Sequence, residues 1–452
     1  MPQALKTLLL QLRELLLTTS PFVLLAAGLL AGAYWLLQPN PPRKVVLATG
    51  VAQGAYDEFG KRYVAQLARH GITVELRPTQ GSADNLALLQ DPASGVDLAF
   101  VQGGTRAPQQ GAQAPDHGLV ALGSMFYEPV WLFYREDAAK RLLGLPALSQ
   151  LTQLSGARLN VGAPGSGTPP LMQSLFEANH IAPDTLTLLQ QAVTPAVVDL
   201  LAGDVDALAL VSAPEALMVQ MLLQTPGIRL FDVAQAEAYS RRLPFLRAVT
   251  LPRGVVDLAR DMPPTDLRLV APTASLVARE SLHPALVQLF VQAAAQVHGG
   301  AGWFARRGDF PNADGAEWPI AAEAQRFYRN GVPWLQRYLP FWLANLADRM
   351  WLALLAIIGL LIPLARVLPP LYEFRIRRRV FRWYAQLREV EEAQGQRPAA
   401  ELLGELDEID AKVHHITVPL SYADELYALR SHIDMVRRRL RAGDTSAVAS
   451  LP

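Results

Sequence analysis

Between residues 43 and 300 the apolar positions of the chain alternate between two periods. Short runs, either wholly apolar or alternating polar with apolar, predict strands; stripes at every third or fourth residue predict helices. The runs fall at residues 45–49, 73–77, 96–102, 118–125, 129–135, 159–163, 186–189, 207–211, 228–231 and 267–270. Helical stripes lie between them: Tyr56, Phe59, Tyr63, Val64 and Leu67, then Leu86, Leu88 and Leu89, then Leu171, Leu175 and Phe176. Residues 195–201, 214–223 and 284–297 complete the helices, and 310–316 reads as a loop. Strands alternating with helices predict an α/β fold with mostly parallel sheets. Ligands of such folds bind at the carboxyl ends of strands.

Two longer apolar runs flank this region. Residues 21–37 are uncharged and end in Tyr34-Trp35-Leu36-Leu37. With Leu15, Leu16 and Leu17 the run approaches the roughly 20 residues a bilayer span needs. Ala31-Gly32-Ala33 has the look of a signal-peptidase site, so cleavage is the rival reading. An uncleaved anchor is expected, because apolar residues continue past that site. Residues 350–365 form the second run, with Trp351 near its start and Arg366 at its end. Leu343 and Leu346 extend it, across Asp348 and Arg349. Lys6 and Arg13 before the first span, and Arg375, Arg377, Arg378, Arg379 and Arg382 after the second, place both termini in the cytoplasm. The expected organisation is therefore a cytoplasmic N-terminus (1–19), a transmembrane helix (20–38), an outer domain (43–338), a second transmembrane helix (343–368) and a cytoplasmic tail (373–452). Beyond the second span, Leu402, Leu406, Ile409 and Val413 line one helix, and Leu426, Leu429, Ile433, Val436 and Leu440 another. A break around Val418-Pro419-Leu420 would fold them into an antiparallel hairpin that buries both stripes.

Composition narrows the chemistry. At 452 residues the chain exceeds one typical domain. Its 41 basic and 41 acidic residues balance, and no basic stripe suggests nucleic acid. With no Cys there are no disulfides, thiolate metal sites or Cys nucleophiles. His414-His415 is the only adjacent His pair, and helical neighbours face apart, so no metal site is expected. No cofactor is expected either.

Three strand-to-helix turns carry the candidate chemistry. Residues 50–55 precede Tyr56; Thr79, Gln80, Gly81 and Ser82 precede Leu86; Gly165, Ser166, Gly167 and Thr168 precede Leu171. Each aims backbone N–H groups and a positive helix end at one spot, where an anion or carboxylate is the natural occupant. Gly162 and Gly167 have the glycine spacing of a phosphate-binding loop, but Thr168-Pro169 replaces the Lys and hydroxyl residue that must follow. Ser166 is not in a nucleophile elbow, since Pro164 and Thr168 occupy the outer positions. No nucleophile with its base and no paired carboxylates assemble, so an enzyme is not expected.

These residues resemble a known family. Leu47-Ala48-Thr49-Gly50 with Gly54-Ala55-Tyr56, Pro78-Thr79-Gln80-Gly81-Ser82 with Asn85-Leu86, and Asp97-Leu98-Ala99-Phe100-Val101-Gln102 are similar to the TAXI family of TRAP transporter solute receptors. Val161 to Thr168 and Gly203-Asp204-Val205-Asp206-Ala207 continue the match, over roughly residues 43–300. The resemblance implies a two-lobed periplasmic-binding-protein-like fold of type II, with lobes of about 43–130 plus 250–338, and 131–249. It implies hinge strands near 129–135 and 248–270. It implies capture of a small organic solute, an amino acid or carboxylate, for TRAP permease subunits. The implied cleft residues are Thr49, Gly50, Gly54, Tyr56, Thr79, Gly81, Ser82, Asn85, Gln102, Gly165, Ser166, Gly167 and Thr168. Ala55 stands where the family usually has a hydroxyl, and Gly103-Gly104 replaces the polar pair usual after the Gln. Asp57, if it faced the cleft, would repel an anion.

The expected function is thus a solute receptor anchored in a bacterial inner membrane, its main domain periplasmic. The alternative is a transmembrane sensor or adaptor that reports ligand to its cytoplasmic tail.

Overall fold

The computed structural model describes residues 20, 22–37, 40–105, 118–394, 396–414 and 423–448, without the side chains of 183, 368–381, 423 and 442–448. Lys6, Arg13, His415 and the break around Val418-Pro419-Leu420 lie outside the described residues. The chain divides into two units, Gln38–Asp348 and Met1–Leu37 with Arg349–Pro452.

In chain order the helices and strands begin with α1 (Phe22–Leu37). There follow β1 (Lys44–Ala48), α2 (Ala55–Ala68), β2 (Thr73–Arg77), α3 (Ser82–Gln90), β3 (Leu98–Gln102), β4 (Leu119–Tyr127), β5 (Val130–Arg135) and α4 (Glu136–Leu143). Next come β6 (Arg158–Asn160), α5 (Thr168–Ala178), β7 (Thr187–Leu189), α6 (Val193–Ala202), β8 (Ala207–Val211), α7 (Leu217–Leu223), β9 (Ile228–Leu230) and α8 (Ala236–Arg242). The order closes with β10 (Leu246–Leu251), β11 (Leu267–Arg279), α9 (Pro284–His298), α10 (Ala322–Asn330), α11 (Phe341–Glu392), α12 (Ala399–His414) and α13 (Ala423–Val448).

Two mixed sheets make two lobes. In the first, β2, β1 and β3 run parallel, β11 joins β3 antiparallel, and β4 pairs with β11. In the second, the order is β7-β6-β8-β5-β9, with β5 antiparallel to both neighbours. The expectation of mostly parallel sheets is therefore corrected. The parallel strands sit at the heart of each lobe, and strands that pass between lobes enter from the opposite end.

Burial explains the sheet positions. All five residues of β3 are buried, as a strand covered on both faces requires. On one face Tyr63 and Leu67 of α2 pack with Leu286 and Phe290 of α9; on the other, Leu86 and Leu89 of α3 pack with Trp318. The second sheet is enclosed in the same way, by Leu171 and Leu175 of α5 on one face and Val197 and Leu200 of α6 on the other.

Two crossings join the lobes. The first is Glu128-Pro129, between β4 and β5, where the Glu128 amide donates to the Pro272 carbonyl at 2.9 Å. The second lies inside β11: residues 267–272 pair with β10, and 274–278 pair with β3. The sequence placed the last strand at 267–270 and the hinge no further than 270. Pro272, Thr273 and Ser275 interrupt the apolar run there, but the strand is buried on both faces, so alternation is lost.

Helix α1 is short and apolar, and Phe341–Val367 within α11 has a mean hydropathy of 2.2. Among the described residues this is the one helical stretch long and apolar enough to cross a bilayer. The Arg349 guanidinium donates to the Leu37 carbonyl at 3.3 Å, and so meets the last carbonyl of α1. Helix α11 is unbroken over 52 residues. Its Leu387 and Val390 pack with α12 and α13, burying Leu402, Leu406, Ile409, Val413, Leu429, Ile433, Val436 and Leu440. Arg437 of α13 reaches Asp407 (3.0 Å) and Asp410 (2.8 Å) of α12, and Arg430 reaches the His414 carbonyl, so the two helices run antiparallel.

Candidate functional site

The site is built from the ends of β1, β2, β3 and β6. After β1 the chain turns at Thr49, whose amide donates to the Arg77 carbonyl at 2.9 Å. The Thr79 hydroxyl donates back to the Thr49 carbonyl (2.7 Å) and accepts from the Gly81 amide (3.1 Å). The Asn85 side chain donates to the Phe100 carbonyl at 2.8 Å. Thr49, Thr79 and Asn85 thus tie β1, α3 and β3 together behind the cleft wall. Ser82 accepts from the Gln102 amide at 2.7 Å, and its hydroxyl lies 2.8 Å from that of Thr105. On the other lobe, the Ser166 hydroxyl donates to the Ala163 carbonyl at 2.7 Å.

The lobes meet at these turns. The Asp84 amide donates to the Gly165 carbonyl at 3.1 Å. The Gln102 side chain donates to the Gly167 carbonyl at 3.1 Å. Gly81, at φ +140°, lies so close to Ser166 that a Cβ on it would stand 3.1 Å from the Ser166 Cα. The close approach, together with a φ that other residues avoid, is what Gly81 provides.

Behind this contact lies a cavity of about 190 Å³. Of the residues expected at the cleft, Gly50, Gly54, Tyr56, Gly81, Ser82, Gln102, Ser166, Gly167 and Thr168 line it. Thr49, Thr79, Asn85 and Gly165 do not. The second lobe adds a largely apolar wall from Ala192, Val193, Leu210, Val211, Leu217, Met218 and Val219.

Glu128 also lines the cavity and was missed by the sequence reading. It is buried at the crossing point and accepts a hydrogen bond from the Tyr56 hydroxyl at 2.7 Å. Burial pushes its carboxyl up to about 8, against the opposing pull of the Tyr56 hydrogen bond. Burial, and then the neighbouring carboxyl, push the Tyr56 phenol well above its ordinary value. A signal was available: Glu128 is the single charged residue between Gly118 and Tyr134.

The departures noted in the sequence find structural roles. Asp57 turns away from the cavity, accepts from the Gln53 amide (3.0 Å) and pairs with Lys61 (2.9 Å). Burial raises its carboxyl, but the Lys61 and Gln53 contacts outweigh it and hold the group below its usual range. The Gly103 amide donates to the Thr273 carbonyl at 3.0 Å. Gly104, at φ +83°, packs against Phe245, where a Cβ would meet the ring at 2.6 Å. Among the described residues, no group of three or more His, Asp or Glu side chains is placed to hold a metal ion.

Two mixed α/β lobes, joined by two crossings and closed over a cavity at their strand ends, define a periplasmic-binding-protein-like fold. Residues 47–296 match the model of the NMT1-like family, and the chain belongs to that family. No curated protein matches the chain. Among solved structures it is similar to the alkanesulfonate-binding protein SsuA from Xanthomonas axonopodis pv. citri bound to MOPS, at 14% identity and a TM-score of 0.37, covering 57% of this chain and 74% of that one. It is also similar to PhnD1 from Prochlorococcus marinus in complex with methylphosphonate, at 12% identity and a TM-score of 0.37, covering 57% and 84%. A putative L-cystine ABC transporter protein from Listeria monocytogenes matches at 12% identity and a TM-score of 0.36, covering 57% and 90%.

Proposed function

We propose that this protein is a membrane-tethered receptor that captures a small organic solute between its two lobes and serves a TRAP-type permease. The observation that carries the reading is the cavity of about 190 Å³ at the strand ends, lined from both lobes by the Gly-rich turns. Backbone groups there approach a ligand closely, and the apolar second-lobe wall excludes water from it. The residues that line the cavity supply hydrogen bonds and shape, and among the described residues no nucleophile and base assemble beside them. The TAXI assignment within the family rests on the sequence motifs around Thr49, Gly81, Gln102 and Thr168. Tethering rests on the apolar stretch Phe341–Val367 and on the run that ends at Leu37. A tethered receptor works at high effective concentration on nearby partners and does not shuttle.

The test is a thermal-shift screen of the full chain, purified in detergent, against a broad panel of small solutes. A hit is then measured by calorimetry in wild type and in Gly167→Val, whose Cβ would meet the Gln102 side chain of the cleft wall. Binding that survives unchanged in the variant rejects the cleft as the site.

A second reading has its own observation. Helix α11 continues without a break from Phe341 into the packed tail core at Leu387 and Val390. A continuous helix transmits a rigid displacement, which suits a sensor that reports solute to the tail. Deletion of the tail separates the two: a transport receptor keeps solute uptake, and a sensor loses its response.

A further inference from the structure

The three helix starts around the cleft are poor anion sites. In α5, Pro169 and Pro170 occupy the first turn, so two of the N–H groups that would face a ligand are missing. In α3, the Asp84 amide is already taken by the Gly165 carbonyl, and Asp84 itself puts a carboxylate in the first turn. In α2, Asp57 and Glu58 lie in the first turn, and the Asp57 carboxylate consumes the Gln53 amide. The positive end that would attract an anion is in each case occupied, neutralised or stripped of donors.

Among the described residues, the cavity lining holds no Lys, Arg or His, and its one acidic group is Glu128. Among the described residues no cation stands there to pair with an enclosed anion, and ionisation of Glu128 would set a like charge against it. A cationic nitrogen meets the opposite situation. It pairs with Glu128 in a charge-assisted hydrogen bond while its carbon chain lies on the apolar wall from α7 and β8.

We propose that Glu128 is the specificity-determining residue of the cleft, and that it selects solutes carrying a cationic nitrogen, an amine or zwitterion, over solutes whose only charge is negative. This rests on the reading of the cleft as a solute site. It departs from the carboxylate that the turns alone suggest.

The groups facing Glu128 fit this role. From α2 it meets the Tyr56 hydroxyl; from β3, Phe100 stacks on the Tyr56 ring at 5.1 Å and Gln102 shares the cavity wall, neither of them charged. Beside it Phe126 of β4 separates the site from His298 of α9, on whose ring it stacks at 5.3 Å. The second-lobe residues of the lining are uncharged. With its carboxyl pushed by burial to about 8, Glu128 is mostly protonated at pH 7. Pairing with an ammonium favours the carboxylate, so binding releases a proton and tightens as pH rises toward 8.

The experiment uses the full chain in detergent and matched four-carbon solutes: 1-aminobutane, 2-aminobutyrate, butyrate, butanesulfonate and 1-butanol. Thermal shift ranks them, and calorimetry in two buffers of different ionisation enthalpy gives affinity and proton release. The amine and the zwitterion are expected to bind at least tenfold more tightly than their deaminated partners, with proton release near pH 7. Glu128→Gln, which retains an oxygen to accept from Tyr56, is expected to remove that preference and the proton release. Glu128→Asp keeps the charge and is expected to keep the preference, more weakly. The melt of each variant without solute checks that it folds. If butyrate or butanesulfonate binds best, or if Glu128→Gln leaves the amine preference intact, the inference is overturned while the solute-receptor reading stands. If neither these solutes nor any of the broader panel binds, both are overturned.

Discussion

The backbone amide of Asp84 donates to the carbonyl of Gly165 at 3.1 Å, joining the first turn of α3 in one lobe to the Gly-rich turn of the other. Two turns that read in the sequence as ligand cradles are therefore also the contact that closes the lobes. The Gly81 backbone lies against Ser166 and the Gln102 side chain bonds to Gly167, so the closed state is held by groups at the mouth of the cavity.

Gly81→Ala tests this closure. The added Cβ stands 3.1 Å from the Ser166 Cα, and φ of +140° is a conformation that costs a residue with a Cβ on the order of 1–3 kcal/mol. The expected result is a more open pair of lobes and solute affinity lowered at least tenfold. Spin labels on Cys introduced at the exposed Arg69 and Glu177 report the opening as a longer distance, and the absence of native Cys keeps labelling specific. An unchanged distance distribution would show that the turns do not set closure.

Glu128 should make the domain less stable as pH rises. Its carboxyl is raised from an ordinary value near 4.5 to about 8 in the folded state. Between those values the folded chain holds a proton that the unfolded chain has lost, so stability falls through that window, by on the order of a few kcal/mol. Glu128→Gln removes this slope. Urea melts at pH 5 and pH 8 should find the variant more stable, relative to wild type, at pH 8. Equal differences at both pH values would mean that Glu128 is ionised in the fold.

His298 acts in the opposite direction at lower pH. Burial, and then Arg62, hold its imidazole down at about 3, against an ordinary 6.5. The unfolded chain gains a proton between those values that the folded chain does not, so stability falls as pH drops from 6.5 toward 3. His298 stacks on Phe126, sits 4.5 Å from the Phe59 ring centre, and leaves its Nε2 without a partner. His298→Phe keeps an aromatic ring in that cluster and removes the titrating group. The variant should keep more of its neutral-pH stability at pH 4.5 than wild type does, as measured by thermal melts across pH 4.5–7.

What the sequence made legible, and what it hid, follows from these same residues. Val45 and Leu47 in β1, and the stripe of Tyr63 and Leu67 in α2, kept their periods and were found buried. The three turns were legible because Gly and small hydroxyls announce a strand end. The second half of β11 was not, because Ala274, Ser275 and Leu276 are all buried and leave no alternation to read. Glu128 was hidden for another reason: its role depends on Tyr56, 72 positions away, and on a crossing point that only tertiary structure creates. The two-sided use of Gly167, as lobe contact and as cavity wall, likewise emerges only when the lobes come together.

The proposed topology is open to a direct labelling test. Asp184→Cys places a thiol in the outer domain and Glu408→Cys places one in α12; both positions are exposed. With two spans and cytoplasmic termini, an impermeant maleimide should label the Asp184→Cys variant in intact cells. The Glu408→Cys variant should react only after permeabilisation. Labelling of the latter in intact cells would mean that α11 does not carry the chain across the membrane, and would end the two-span proposal.

The tail should fold by itself, but only with the end of α11 attached. Its core is not made by α12 and α13 alone: Leu387 and Val390 of α11 are buried in it, and Trp383 and Tyr384 pack against it. Arg437 adds contacts to Asp407, Asp410 and Asp434, yet these carboxylates are largely exposed and such pairs contribute little. Stability therefore rests on the apolar core. Leu406 and Ile433 are fully buried within it, and truncating a buried Leu or Ile to Ala costs roughly 2–5 kcal/mol. A fragment beginning at Arg382 should show helical circular dichroism and a cooperative melt. A fragment beginning at Arg388 lacks Trp383, Tyr384 and Leu387, and should melt at a lower temperature and more broadly. Leu406→Ala in the longer fragment should lower the midpoint, whereas Arg437→Ala should shift it only slightly. If the two fragments melt alike, α11 does not belong to the tail core, and the unbroken helix loses its standing as a route for signal.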